Sequence, residues 1–99
     1  MVLKIVRWNN LAINQLKVAC DYIRHDSIQN AKMVRKDVLA IARSLAAHPE
    51  KYPPDKYKID NDGSYRAFEV HHFRIIYRVL PAEIKILMLR HTSMMPIKY

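Results

Sequence analysis

The sequence predicts an α+β fold in the order β-α-α-β-β-β, a helix hairpin packed on one face of a small, mainly antiparallel sheet. Three observations predict it. Residues 72–79, His-Phe-Arg-Ile-Ile-Tyr-Arg-Val, alternate as a strand does. Phe73, Ile75, Tyr77 and Val79 should face one way and His72, Arg74, Ile76 and Arg78 the other, because successive strand side chains switch faces. Two upstream stretches carry apolar residues at three- and four-residue steps, the spacing of a helix face. Only His25-Asp26-Ser27 joins them, a connection short enough to force the helices antiparallel.

Taken in order, residues 2–8 predict a first strand with Val2, Leu3, Ile5, Val6 and Trp8 apolar. Asn9 and Asn10 offer side-chain acceptors for the open N–H groups of a helix start. Leu11, Ala12, Gln15, Leu16, Ala19, Tyr22 and Ile23 mark the buried face of that helix, which should end near Arg24 or His25. Ser27 caps the second, whose stripe runs Ala31, Val34, Val38, Ile41, Ala42 and Leu45, and alanines 12, 19, 31, 42 and 46 permit close approach of the pair. Two helices with one apolar side each need a flat partner, and the sheet supplies it. Pro49, Pro53 and Pro54 stop the second helix. The polar stretch from Glu50 to Gly63 is long for a connection in a small domain, either a spacer or a functional loop. Tyr65 to His71 and Ile84 to Arg90 predict the strands before and after 72–79, and Leu80-Pro81-Ala82-Glu83 the second turn. Residues 91–99 read as an irregular tail.

The 99 residues predict one domain spanning 1–99. No apolar run approaches the ~20 residues a bilayer span requires, and the charge-interrupted first eight residues do not make a secretory signal. Cys20 is alone, so an internal disulfide is excluded, which suits a reducing cytoplasm; it reads as a small apolar helix residue. The net charge of +8 favours an acidic partner or a polyanion.

That order, together with specific residues, resembles the RelE/ParE superfamily of toxins from type II toxin–antitoxin modules. The hairpin carries Leu16, Tyr22-Ile23, Ser27 and Ala31 in a spacing similar to the ParE branch. Tyr65-Arg66 and Phe73-Arg74-Ile75-Ile76-Tyr77-Arg78-Val79 resemble the sheet motif of the whole superfamily, and Ile84, Ile86-Leu87, His91 and Pro96 again resemble ParE. The resemblance implies a growth-inhibiting toxin of a plasmid-stabilisation module, acting in the cytoplasm without a cofactor. It implies a toxin–antitoxin hetero-oligomer with a cognate antitoxin whose segment wraps over the toxin; with the charge, that segment should be acidic and amphipathic. ParE-type toxins poison DNA gyrase, whereas RelE-type toxins cut messenger RNA on the ribosome, and fold alone does not choose between them.

Metal-free RNA cleavage needs a base, a cation for the phosphate and an acid for the leaving oxygen. By resemblance, Arg66 and Arg74 match positions that RelE-type nucleases use around the scissile phosphate, and Tyr99 matches a C-terminal tyrosine of some of them. His91 is a candidate acid or base. Arg66, Arg74, Arg78, Lys98, Lys56 and Lys58 are the candidates for holding a target, with Arg66, Arg74, His91, Lys98 and Tyr99 expected on or near one basic sheet face. Against this, Phe68 stands where RelE has a lysine, and Ser93 about where it has an arginine. Histidines 71, 72 and 91 do not suggest a metal site, since adjacent strand residues face apart. The resemblance favours a ParE-like gyrase poison, with a RelE-like ribosome-dependent endonuclease second; a non-toxic basic nucleic-acid-binding module is the third reading. The toxin readings require Arg74 and Arg78 to face outward, free of carboxylates of their own chain.

Overall fold

In the computed structural model, which describes residues 2–99, Asn9 starts the first helix: its side chain accepts from the Ala12 amide at 2.8 Å. The helix, α1, runs Asn10–Arg24, and α2 runs Ile28–Ser44 after Ser27 accepts from the Asn30 amide at 3.1 Å. Strands β1 (Ile5–Trp8), β2 (Tyr65–Val70), β3 (Phe73–Val79) and β4 (Glu83–His91) complete the predicted order. The sheet is laid out β1-β4-β3-β2, with β1 parallel to β4 and the other two pairings antiparallel. The first strand is shorter than residues 2–8, since pairing with β4 begins at Ile5↔Glu83.

The helix pair covers the sheet face that carries Phe73, Ile75 and Tyr77, all buried, with Val79 half-buried against the same core. Ala12, Leu16 and Cys20 of α1 and Ala31, Val34, Val38 and Ala42 of α2 are buried, with Leu45 just beyond. Alanines at these positions let the layers close to van der Waals contact, where dispersion is collectively large. The expected α1 face is rotated slightly: Cys20 turns inward, while Leu11 and Tyr22 are exposed at 53% and 76%. Burial pushes the Cys20 thiol above its ordinary range, as an inert core cysteine requires.

β4 holds its inward residues at Ile84, Ile86 and Leu89, a two-then-three spacing. The pairings Tyr77↔Ile86 and Ile76↔Met88 leave Leu87 without a partner on β3, so Leu87 is the extra residue of a β-bulge that resets the phase. His71 and His72 are not strand residues as expected. Val70 pairs with Phe73, and the two histidines between them hold φ of 52° and 66°, a two-residue hairpin turn of the type I′ kind. The argument that they face apart as strand neighbours therefore does not apply.

Candidate interaction face

The hairpin turn sets what shares a face. With Val70 opposite Phe73, the outer side of the sheet, away from the helices, carries three cross-strand rows: Glu69–Arg74–Arg90, Ala67–Ile76–Met88 and Tyr65–Arg78–Lys85. Arg74 and Arg78 face outward as the alternation predicts. Arg66 does not join them. It lies opposite Tyr77, on the helix side of the sheet, and its guanidinium donates to the carbonyls of Tyr52 (2.6 Å) and Gly63 (3.1 Å).

The loop from Glu50 to Gly63 wraps the β2 edge and is not a spacer. Tyr52 packs on Phe68 on the helix side, Pro54 bridges to Arg66, and the Asp55 amide donates to the Tyr65 carbonyl at 2.8 Å. An exposed strand edge is thereby covered, and Asp55 is delivered onto the outer face.

Asp55 is the residue that the sequence reading missed. Its side chain is fully buried and takes three donors: Arg74 Nη2 at 2.6 Å and the Tyr57 amide at 3.2 Å on Oδ1, and the Tyr99 hydroxyl at 2.7 Å on Oδ2. Burial alone pushes the carboxyl up, but the Tyr99 hydroxyl, the Arg74 guanidinium and the Tyr57 amide outweigh it and hold the carboxyl below its ordinary range. Arg74 is also 2.9 Å from Glu69 and lies over the Tyr57 ring at 5.2 Å. The expectation that Arg74 is free of its own chain's carboxylates is thus overturned: a cation so shielded from solvent requires its counter-charges. Arg78 meets no carboxylate among the described residues; it rests over Tyr65 at 4.7 Å, and its Nε donates to Ser64 at 3.3 Å.

The remaining candidates divide between the faces. Tyr99 stands beside Arg74, its hydroxyl committed to Asp55; burial and that carboxylate push its pKa far above the ordinary tyrosine range, so it is a poor proton donor. His91 pairs with Phe73, on the helix side at the end of the sheet, where its ring stacks on His72 at 6.3 Å and its Nδ1 lies 2.6 Å from Ser93 Oγ. His71 instead meets Asp37 at 2.6 Å, and among the described residues no group of three His, Cys, Asp or Glu is placed to hold a metal. Lys58 lies over Tyr65 and Tyr99, at 4.8 and 5.4 Å, and Lys56 over Tyr57 at 5.2 Å. Lys98 is exposed. The outer face therefore gathers Arg78, Lys58 and tyrosine rings around a neutralised Arg74; Arg66 lies elsewhere, while His91, at the end of the sheet, also lines a small cavity beside Arg74 and Arg90. Arg74 is committed to Asp55 and Glu69 and the Tyr99 hydroxyl to Asp55, whereas Arg90 meets no carboxylate among the described residues and donates to the Met95 carbonyl.

A second feature lies on the α1 side. Beyond Trp8 the β1 edge of β4 has no strand partner, and Gln15 Oε1 accepts from the Leu89 amide at 2.7 Å in its place. The resulting groove, about 620 Å³, is lined by Val18, Ala19, Tyr22, Phe73, Leu89 and Met94 among others. Among the described residues no helix is long and apolar enough to cross a membrane.

Comparison with known proteins adds to this geometry. Residues 6–96 match the family model described as the ParE toxin of the type II toxin–antitoxin system parDE. The chromosomal ParDE system of Pseudomonas aeruginosa contains a chain of similar fold, at TM-score 0.71 and 17% identity, over 90% of this chain and 96% of that one. The RelBE2 toxin–antitoxin complex of Mycobacterium tuberculosis is also similar, at TM-score 0.60 and 18% identity, over 92% and 93% of the two chains. No curated protein matches.

Proposed function

The chain belongs to the ParE toxin family of type II toxin–antitoxin systems, and from that premise we propose that it inhibits growth by binding DNA gyrase and is neutralised by an acidic antitoxin. The observation that supports this reading is the ParE family match over residues 6–96; the occupied Arg74 removes the free guanidinium that the sequence reading required of either toxin mechanism, and it weighs most against the nuclease. A nuclease of the RelE kind needs that guanidinium for phosphate, whereas here Asp55 and Glu69 occupy it and the neighbouring Tyr99 hydroxyl. A face whose central arginine and tyrosine are already occupied suits recognition of a protein surface.

The antitoxin reading is supported by exposed apolar residues beside strong positive charge. Leu11, Val18 and Tyr22 run along the outside of α1 toward Met94 and Met95, and the whole chain carries +8. An amphipathic segment with an acidic outer side would bury the first and complement the second.

The competing reading, a ribosome-dependent endonuclease, draws on the cations and tyrosines of the outer face, a combination that also suits single-stranded RNA. Induced expression separates the two. The gyrase reading expects DNA breaks and filamentous cells with intact transcripts. Transcript 5′ ends mapping to codons in the ribosomal A site, and lost with an Arg74→Ala chain shown to remain folded, would replace it with the nuclease.

A further inference from the structure

Residues 92–99 cross the outer face under unusual constraints. The near end is fixed where the Thr92 amide donates to the His72 carbonyl at 2.7 Å. The far end is fixed at Tyr99: its hydroxyl donates to Asp55 at 2.7 Å, its amide to the Tyr57 carbonyl at 3.2 Å, and its main-chain oxygen accepts from the Ile59 amide. Its ring meets Tyr65 edge-on at 5.9 Å, with the Lys58 ammonium alongside. Between the ends, Thr92 to Lys98 are all exposed, and Arg90 to the Met95 carbonyl at 3.0 Å is a bond in open solvent.

Beneath the span lies a cavity of about 60 Å³ lined by Tyr57, Arg74, Ile76, Arg90, Pro96 and Ile97. Ile76 is an outward-facing residue only 3% exposed, so something on the outer face shields it, and Pro96 and Ile97 share this cavity with it. Arg74 Nε is buried in the same region and has no partner. An unmet donor of that kind costs free energy that an opened face would recover by hydration or by a ligand. Both neighbouring carboxylates, Asp55 and Glu69, pair with Arg74, and Arg90 donates to the Met95 carbonyl.

We propose that residues 92–99 are a displaceable strap, latched at its far end by Tyr99 on Asp55, that closes the Arg74 side of the sheet. The contacts holding the far end belong to a single residue, so the strap releases locally while β3 and β4 stay paired. Any partner that takes this side must lift or engage the strap, whichever target the toxin has. The device does not depend on the gyrase reading.

Hydrogen exchange on the full chain tests the latch, with arginine-selective dicarbonyl labelling as a second measurement. Tyr99→Phe removes only the hydroxyl, and Tyr99→Ala the ring as well. We expect protection of the Ile59 and Tyr99 amides to fall about tenfold in the first variant and further in the second, the scale of one hydrogen bond to a charged group. Protection at Ile75, Tyr77 and Leu89 should not change. Labelling of Arg74 should rise several-fold in Tyr99→Ala while exposed Arg35 on α2 is labelled as before. Loss of protection spread through β3 and β4, or Arg74 labelling unchanged by the variant, would overturn the strap.

Discussion

Asp55 and Arg74 meet at 2.6 Å across the outer face of the sheet, a loop carboxylate with no exposed surface clamping a strand arginine. The pair ties loop, strand and tail together.

Removing Arg74 leaves the Asp55 carboxylate buried without a counter-charge, and removing Asp55 leaves the shielded Arg74 with only the more exposed Glu69. Asp55→Ala and Arg74→Ala should each lower unfolding free energy by about 3 kcal/mol, measured in urea. The double variant should lose at least 1 kcal/mol less than the two combined. Strict additivity would mean that the contact contributes no coupling.

The same carboxylate predicts a pH dependence. Its folded pKa lies below the ordinary value of 3.8, so its contribution is fully present above the usual carboxylate range and is lost as pH falls through the folded value. The stability gap between the native chain and Asp55→Asn should be widest near neutrality and shrink below about pH 4. A gap unchanged down to pH 2 would show that the charge of Asp55 does not stabilise the fold.

The bulge at Leu87 makes a deletion prediction. Removing Leu87 leaves Ile86 opposite Tyr77 and Met88 opposite Ile76 without a break, so every inward residue stays inward. Removing Lys85 instead makes Ile84 and Ile86 adjacent and turns one out of the core, where both are fully buried. The Lys85 deletion should cost at least about 3 kcal/mol more, the worth of one buried isoleucine plus the void it leaves. Equal losses by thermal unfolding would contradict the phase reset.

At the β2–β3 turn, His72 holds a φ of 66° that glycine adopts without a Cβ penalty. His72→Gly should gain about 0.5 kcal/mol, the left-handed cost relieved less the extra flexibility of the unfolded chain. A loss larger than 1 kcal/mol would assign the stability of this turn to the stack on His91.

How much of this was legible in the sequence follows from where the information lies. The helices could be read because Asn9 and Ser27 cap them and the apolar steps between are local. The β3 alternation is equally local, and it placed Phe73, Ile75 and Tyr77 inward. The double-histidine turn carries no glycine or asparagine to announce it, so its residues were assigned to strands. Once Val70 is paired with Phe73, Arg66 must oppose Tyr77 and leave the outer face; the signal was present but required the register. Asp55 gave no periodic signal at all. Its role exists only because the loop wraps the β2 edge and sets a carboxylate against Arg74, a long-range consequence of packing.

The central claim is that this ParE-family chain acts on gyrase through protein recognition. Purified chain titrated into a DNA gyrase supercoiling reaction tests it most directly. The account predicts loss of supercoiling at a stoichiometric excess of the chain, reversed by the cognate antitoxin. Undiminished supercoiling, together with cleavage of messenger RNA on purified ribosomes by the same preparation, would contradict it.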